Sequence, residues 1–284
     1  MEILRYTAFS SDPAGGNRAG VVLDARGLSA AEMLAVAAEV GYSETAFLTP
    51  ADRTREFEVR YFSPLAEVPF CGHATIAAAA AYAERFGAGD LLFHTQPGPI
   101  PITTRTGTAG VASATLTSVV PRVTPLPEAD LSALLEALNW SPDDLDDTLP
   151  PRVAFAGAFH PILAVSERAR LAALYYDFDA LGALMAQRSW TTVDLVWREA
   201  ATSFSCRNPF PPGGVVEDPA TGAAAAAFGG YLRALELVAV PVDVTVEQGY
   251  DMGRPSRIDV FIPAATDAGI SVSGAAVELP PAYF

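Results

Sequence analysis

Titratable side chains stand directly before two alanine-rich segments of the chain. One segment, CGHATIAAAAAYA, begins at Cys71 and carries His73; the other, EDPATGAAAAAFGG, begins at Glu217 and carries Asp218. At the start of a helix the first backbone N–H groups lack intrahelical partners and the helix dipole is positive, so a carboxylate or an enolate is stabilised there. A histidine or an aspartate at such a place can exchange protons with a bound anion. Both segments therefore predict acid–base chemistry at the start of a helix.

Each of these side chains also has a purely structural interpretation. Asp218 followed by proline is a typical helix start, with aspartate as the N-cap and proline at the first helical position. His73 can satisfy a loop, and Glu44, in GYSETAFL, can be an exposed charge on a strand. Cys71 and Cys206 are predicted to be buried thiols. Taken residue by residue, the sequence leaves the catalytic and the structural interpretations open.

The alanine-rich segments predict helices that are buried on every side. A surface helix has an apolar stripe on one face only, whereas IAAAAAYA and AAAAAFGG are apolar nearly all round. Small side chains make a thin helix that a bent sheet can enclose. Strand-like segments alternate irregularly with helices, such as the one that Ser29 opens with a capping-box spacing to Glu32. This pattern favours an α+β fold over a doubly wound parallel sheet.

The two halves of the chain resemble each other as a loose repeat. Thr75 aligns with Thr221 at an offset of 146 residues (221 − 75), and the same offset aligns one alanine run with the other. Such self-similarity predicts two related domains. The segment 121–127, PRVTPLP, has three prolines in seven positions and is the predicted linker between them.

Composition limits the classes of function. The chain has 284 residues and a net charge of −15, which argues against a nucleic-acid partner or an anionic membrane surface. All eighteen basic residues are arginines, so no lysine side chain can form a Schiff base. Neither a signal peptide nor a membrane span is predicted, and a cytoplasmic location is expected. There is no metal-ligand spacing, and GGNRAG lacks the spacing of a dinucleotide-binding loop, so neither a metal nor an organic cofactor is expected.

Four motifs follow one another along the chain: GYSETAFL, RYFSPLAEVPFCGHAT, EDPATGAA and EQGYDMGRPSRI. Together they resemble the PhzF-like isomerases of phenazine biosynthesis, whose fold resembles that of diaminopimelate epimerase. The resemblance spans nearly the whole chain. It implies two pseudo-symmetric domains, each a strongly curved β-sheet wrapped around a central alanine-rich helix, with the active site between them. It places the N-terminal domain at 1–120 plus 268–284 and the C-terminal domain at 128–267.

The same resemblance assigns roles residue by residue. It makes Glu44 the acid–base carboxylate, with His73 and Asp218 as its catalytic partners. It implies proton transfer on a small, cyclic, carboxylate-bearing, amino-acid-like substrate without a cofactor, as in trans-2,3-dihydro-3-hydroxyanthranilate isomerase. A single carboxylate over one face of a substrate can remove a proton from one carbon and return it to another. The positions that fall where the family binds substrate are Asn17, Ser43, Gly72, Gly222 and Ala223.

Two positions depart from the family pattern. Ala223 stands where the family often has a serine that helps to hold a substrate carboxylate, and Arg18 stands where it commonly has proline. The identity of the substrate is therefore left open, as is assembly into a homodimer. A catalytically silent ligand- or partner-binding protein on the same scaffold is the alternative. A two-thiol amino-acid epimerase is less favoured, because at the offset of 146 Cys71 aligns with Glu217 and not with Cys206.

Overall fold

The computed structural model describes residues 1–107 and 110–283, and the chain divides into two compact units. Unit 1 comprises Met1–Thr117, Arg254–Arg257 and Ser273–Phe284, and unit 2 comprises Ser118–Gly253 and Ile258–Val272. The domain boundaries inferred from the sequence remain a prediction. Among the described residues, no helix has the length and apolar character that crossing a membrane requires.

Unit 1 is built from short strands and two helices. Its elements are β1 (Leu4–Ala8), β2 (Asn17–Val22), α1 (Ala30–Val40), β3 (Glu44–Pro50), β4 (Glu56–Phe62), β5 (Glu67–Val68), α2 (Gly72–Phe86), β6 (Gly89–Thr95), β7 (Gly98–Thr106) and β8 (Ala112–Thr117). The last strand of the chain, β17 (Ser271–Glu278), belongs to this unit from Ser273 onward.

The strands of unit 1 form a sheet that closes on itself. β1 pairs antiparallel with β2, β2 pairs parallel with β3, and the ladder continues through β4, β6, β7 and β8. β17 pairs with both β8 and β1, which completes the ring. α2 packs on β1, β2, β7 and β8, and ten of its fifteen residues are buried. The sheet therefore surrounds the alanine-rich helix, as its all-round apolar pattern predicts.

Unit 2 has a similar set of elements. They are β9 (Arg122–Pro125), α3 (Glu128–Leu138), β10 (Arg152–Phe155), β11 (Phe159–Val165), α4 (Arg168–Ala172), α5 (Phe178–Arg188), β12 (Asp194–Ala200), β13 (Ser203–Phe210), β14 (Val215–Asp218), α6 (Gly222–Ala234), β15 (Val242–Gln248) and β16 (Ser256–Ile262), which belongs to unit 2 from Ile258 onward. Short 3₁₀ turns lie at Pro142–Asp144, Pro211–Gly213, Tyr250–Met252 and, in unit 1, Pro281–Tyr283.

The strand pairing of unit 2 repeats that of unit 1. β10–β11 is antiparallel, β11–β12 parallel, β12–β13 antiparallel and β13–β15 parallel, in the same order as β1–β2, β2–β3, β3–β4 and β4–β6. The short strands β5 and β14 fold back on β4 and β13. α6 packs on β9, β10 and β11, and ten of its thirteen residues are buried. The predicted α+β class, with a buried alanine-rich helix against a sheet in each half, is confirmed.

The register of the repeat differs from the one predicted from the alanine runs. α2 begins at Gly72 after its N-cap Cys71, and α6 begins at Gly222 after its N-cap Thr221. Equivalent positions of the two helices are therefore 150 residues apart (222 − 72), not 146. Runs of alanine align almost equally well in neighbouring registers, and the predicted register is wrong by about one helical turn of 3.6 residues.

The proline-rich segment contains a strand. Residues Arg122–Pro125 form β9, which pairs antiparallel with β10. Pro121 precedes the strand and Pro125 is its last residue, so no proline interrupts the interior of the strand. The segment is thus a paired strand near the start of unit 2, and its role as the connection between the two domains remains a prediction.

A row of buried polar side chains lies in unit 2. His160 Nδ1 is 2.9 Å from the Thr192 hydroxyl, which donates to Asn208 Oδ1 at 2.7 Å, and Asn208 Nδ2 donates to Asp194 Oδ1 at 3.1 Å. Burial raises the pKa of Asp194 to about 7 and lowers the pKa of His160 to about 4, because a desolvated site disfavours the charged form. Burial and the neighbouring Asp194 also raise the pKa of the Cys206 thiol.

Asp194→Asn is expected to flatten the dependence of stability on pH. The folded-state pKa of Asp194, about 7, lies above its ordinary value of 3.8, so its stabilising protonated form is fully present below about pH 4 and is lost as pH rises through 7. The difference between the two pKa values corresponds to a loss of about 4 kcal/mol in the free energy of unfolding when Asp194 ionises. Asparagine does not ionise, so the variant should not show this loss. Urea unfolding of both proteins at several pH values between 4 and ~8 measures this. Parallel stability curves would contradict the assignment.

Candidate active site

Glu44 and His73 meet within unit 1. Glu44 is the first residue of β3, opposite Ala19 of β2 in the parallel ladder, and His73 is the second residue of α2. Glu44 Oε2 lies 3.3 Å from His73 Nε2, and the two side chains are only 16% and 8% exposed. The fold thus joins a carboxylate and an imidazole that are 29 residues apart in the sequence (73 − 44).

Polar side chains lie beside both ring nitrogens of His73. The Asn17 amide nitrogen lies 3.2 Å from Nδ1, and the Ser43 hydroxyl lies 3.3 Å from Nε2, the atom that also faces Glu44. When the amide donates to Nδ1, the neutral ring carries its proton on Nε2 and donates it toward the carboxylate or the hydroxyl. Asn17 therefore orients the histidine, and the histidine orients the carboxylate of Glu44.

The GGN motif presents Asn17 through a turn that requires glycine. Gly16 has a φ of +68°, and a Cβ at this residue would lie 2.4 Å from the carbonyl oxygen of Ala8. Arg254 supports the same turn, because its Nη2 donates to the carbonyl oxygens of Gly15 and Gly16 at 3.2 and 2.8 Å. Two of the sequence motifs, GGN and GRPSRI, thus serve one structural purpose.

Cys71 belongs to the same group of side chains. It is the N-cap residue of α2, and its sulfur lies 3.5 Å from Glu44 Oε2 and 3.3 Å from His73 Nδ1. The prediction of a buried thiol is confirmed, since Cys71 is 8% exposed. Its contact with the predicted acid–base pair was missed, although its place two residues before His73 in CGHAT is a signal for it. We call Glu44, Cys71 and His73 the acid–base cluster.

In unit 2, Asp218 lies beside the start of α6. It is the last residue of β14 and not the N-cap, which is Thr221. The Thr221 hydroxyl donates to Asp218 Oδ2 at 2.6 Å. Gln248 links both residues: its Nε2 donates to the Asp218 carbonyl oxygen at 2.7 Å and to the Thr221 hydroxyl at 3.0 Å, while its Oε1 accepts from the Thr221 N–H at 3.0 Å. The N-cap interpretation of Asp218 is therefore wrong, and sequence reasoning missed the supporting role of Gln248.

The small predicted positions lie at the two helix starts. Gly72 and Gly222 are the first residues of α2 and α6, and Ala223 is the second residue of α6, the position equivalent to His73 in α2. Gly72 and Ala223 are half-buried, and Gly222 is buried. The part that each predicted position plays in substrate binding remains a prediction.

The two cysteines occupy unrelated positions. Cys206 lies within β13, opposite Val196 of β12, and is buried beside Asp194. With equivalent helix positions 150 residues apart, the counterpart of Cys71 is Thr221, which carries no thiol. A two-thiol epimerase, with equivalent cysteines in both halves, finds no support in this arrangement.

Comparison with solved structures identifies the class of fold. A phenazine biosynthesis protein of the PhzF family from Bacillus anthracis superposes with a TM-score of 0.86 at 24% identity, covering 99% of this chain and 98% of that one. A probable proline racemase from Agrobacterium radiobacter gives a TM-score of 0.62 at 14% identity, covering 97% of this chain and 90% of the racemase. The protein therefore has the α+β fold of the diaminopimelate epimerase type, as the sequence predicts.

Sequence comparisons identify the family within this class. The chain is 32% identical over 288 residues to the uncharacterized isomerase YddE of Escherichia coli O157:H7, covering 98% of this chain and 96% of the relative. It is 32% identical over 251 residues to the trans-2,3-dihydro-3-hydroxyanthranilate isomerase of Pseudomonas chlororaphis, covering 88% of this chain and 86% of the relative. The family model of the phenazine biosynthesis-like proteins matches residues 6–280. The chain belongs to this PhzF family and is an isomerase.

Proposed function

We propose that this isomerase moves a proton on a small, cyclic, carboxylate-bearing, amino-acid-like substrate and uses Glu44 as the proton carrier. The observation that carries the proposal is the 3.3 Å approach of Glu44 Oε2 to His73 Nε2 beside the start of a buried helix. The relative from Pseudomonas chlororaphis, a trans-2,3-dihydro-3-hydroxyanthranilate isomerase, supports this substrate class.

The proposed reaction needs one carboxylate and no change of oxidation state. A C–H bond of the substrate breaks, its proton passes to the carboxylate of Glu44, and the electron pair is delocalised into the adjacent unsaturated system. Glu44 then returns the proton to a different carbon, where a new C–H bond forms. His73 keeps the carboxylate oriented, and the N–H groups at the start of α2 stabilise the negative charge that develops.

Asp218 is proposed to hold the amino group of the same substrate. A carboxylate accepts strong, charge-assisted hydrogen bonds from an ammonium group. The hydroxyl of Thr221 and the amide of Gln248 fix the position of Asp218, so little ordering is needed when a ligand binds. The substrate-binding positions at the two helix starts would then contact the remaining polar groups of the ligand.

A deuterium-exchange screen tests this function. The protein is incubated in deuterated buffer with cyclic amino carboxylates, including trans-2,3-dihydro-3-hydroxyanthranilate and proline, and label uptake is followed by mass spectrometry. We expect uptake into at least one compound, with no loss on addition of a chelator and no need for an added cofactor. Turnover that depends on an added divalent metal, pyridoxal phosphate or nicotinamide would contradict the proposal. Binding without exchange would favour the catalytically silent alternative.

Ala223→Ser is expected to tighten the binding of carboxylate-bearing ligands by about tenfold or more. The new hydroxyl adds one donor at the second position of α6, and a hydrogen bond to a charged group is worth roughly 1.5–3 kcal/mol. Calorimetry with a ligand from the screen measures the change. The matched control is the amide of the same ligand, whose affinity should change less. If Ala223→Ser and the unaltered protein bind the carboxylate-bearing ligand with equal affinity, the carboxylate of the ligand is not held at the start of α6.

A further inference from the structure

We propose that Glu44, Cys71 and His73 form a site for an inhibitory Zn²⁺ ion. Their ligand atoms all lie within 4.8 Å of one another. Imidazole, thiolate and carboxylate are the ligand types that Zn²⁺ takes in proteins. The sequence shows no metal-ligand spacing because Glu44 and Cys71 are 27 residues apart and only the fold brings them together.

The three ligand atoms lie close enough together to bind one tetrahedral ion once the side chains reorient. With Zn–N and Zn–O bonds of about 2.0 Å and a Zn–S bond of about 2.3 Å, a tetrahedron places N and O roughly 3.3 Å apart and sulfur roughly 3.5 Å from either. The observed distances are 3.3 Å between His73 Nε2 and Glu44 Oε2, 3.5 Å between Cys71 Sγ and Glu44 Oε2, and 3.8 Å between Cys71 Sγ and His73 Nε2. The Cys71 sulfur is nearer to His73 Nδ1, at 3.3 Å, than to Nε2, so it does not face the Nε2 lone pair. The imidazole ring must therefore turn before Nε2 and the sulfur can bind the same ion.

The surroundings of His73 suit a metal-bound histidine. When Nε2 binds an ion, the neutral ring carries its proton on Nδ1 and donates it to an outer acceptor. Asn17 lies 3.2 Å from Nδ1 and supplies its amide oxygen by turning the amide group over. The three protein side chains leave a fourth tetrahedral position on the ion, which water or a carboxylate of the substrate can occupy.

Bound Zn²⁺ would stop the proton transfer that we assign to Glu44. A carboxylate oxygen that coordinates the ion cannot at the same time accept a proton from carbon. This consequence rests on the proposed function, whereas binding of the ion does not. The ion is thus proposed as an inhibitor and not as a cofactor of the proton transfer.

Titration with Co²⁺ tests the site without any substrate, because thiolate-bound Co²⁺ has a charge-transfer band in the near ultraviolet. The reduced, metal-free, full-length protein should show a saturable band at one ion per chain, and Zn²⁺ should displace it. Cys71→Ser should abolish the band and weaken binding by at least about tenfold, while Glu44→Gln should weaken binding but keep the band. Cys206→Ser is the matched control on the other buried thiol, and it should change neither the charge-transfer band nor the affinity for Co²⁺.

The Cys71→Ser variant is suited to this test because serine is a favoured N-cap residue, so α2 should still form. Thermal unfolding of all variants confirms that they are folded. Absence of a saturable band in the unaltered protein, or a band that persists in Cys71→Ser, would overturn the zinc site.

An activity measurement separates the zinc site from the proposed function. With a substrate from the screen, one equivalent of Zn²⁺ should stop deuterium exchange, and a chelator should restore it. If the spectrum shows binding at Cys71 while exchange continues, the zinc site stands and Glu44 is not the proton carrier.

Discussion

Glu44→Gln is expected to slow deuterium exchange into the substrate by about 10²–10⁴-fold, because the amide cannot accept and return a proton. The variant keeps the shape of the side chain and can still hydrogen-bond to His73 Nε2, which lies 3.3 Å from the carboxylate. Substrate affinity should therefore change much less than the rate. Initial rates of label uptake, measured over a range of substrate concentrations, distinguish these two effects.

Glu58→Gln provides the matched control for this experiment. Glu58 is exposed on β4, the strand next to β3, and it stands outside the acid–base cluster. The Glu58→Gln variant should exchange deuterium into the substrate at the same rate as the unaltered protein. Normal exchange in a folded Glu44→Gln protein would remove Glu44 from the mechanism.

Glu217→Gln is expected to destabilise the protein by about 3–5 kcal/mol, because it leaves the guanidinium group of Arg207 buried without its counter-ion. Both residues are 8% exposed, and Arg207 binds the carboxylate through two N–H groups, at 2.9 Å from Nε and 2.5 Å from Nη2. The pair also connects β13 to β14, since Pro209 and Glu217 are partners in that ladder. Urea unfolding at neutral pH measures the loss.

Asp24→Asn is the control for the loss of a carboxylate from an ion pair. Asp24 also pairs with an arginine, Arg26, but the two side chains are 52% and 69% exposed. Water screens the charges of an exposed pair, so this variant should unfold at nearly the same urea concentration as the unaltered protein. Equal stability of the Asp24 and Glu217 variants would contradict the importance that we give to burial. Because Glu217 precedes Asp218, we also expect its substitution to weaken substrate binding.

The sequence predicted those parts of the fold that depend on local chemistry. The all-round apolar alanine runs predicted two buried helices, and the capping box of Ser29 and Glu32 predicted the start of α1, which ends before Gly41 at a φ of +72°. The register of the repeat was wrong because alanine carries little positional information. The strand within 121–127 was missed because its pairing with β10 is a long-range contact that proline content does not reveal.

The candidate site was predicted only in part for the same reason. Motifs identified Glu44 and His73, but their contact depends on the position of β3 relative to α2. Gln248 stands in the motif EQGYDMGRPSRI, but its role was not predicted, because its bonds to Asp218 and Thr221 bridge about 30 residues of chain. The substrate, the cytoplasmic location and the homodimer remain predictions, because they depend on ligands and surfaces and not on local motifs.

A crystal structure with a bound amino carboxylate from the exchange screen tests most directly the central claim, that Glu44, His73 and Asp218 act on one substrate. We predict a carboxylate oxygen of Glu44 within about 3 Å of the carbon that loses its proton, with His73 Nε2 still beside that carboxylate. Asp218 should lie within hydrogen-bonding distance of the amino group of the same ligand molecule. A ligand that contacts Glu44 but not Asp218, or that binds away from Glu44 altogether, would contradict the claim.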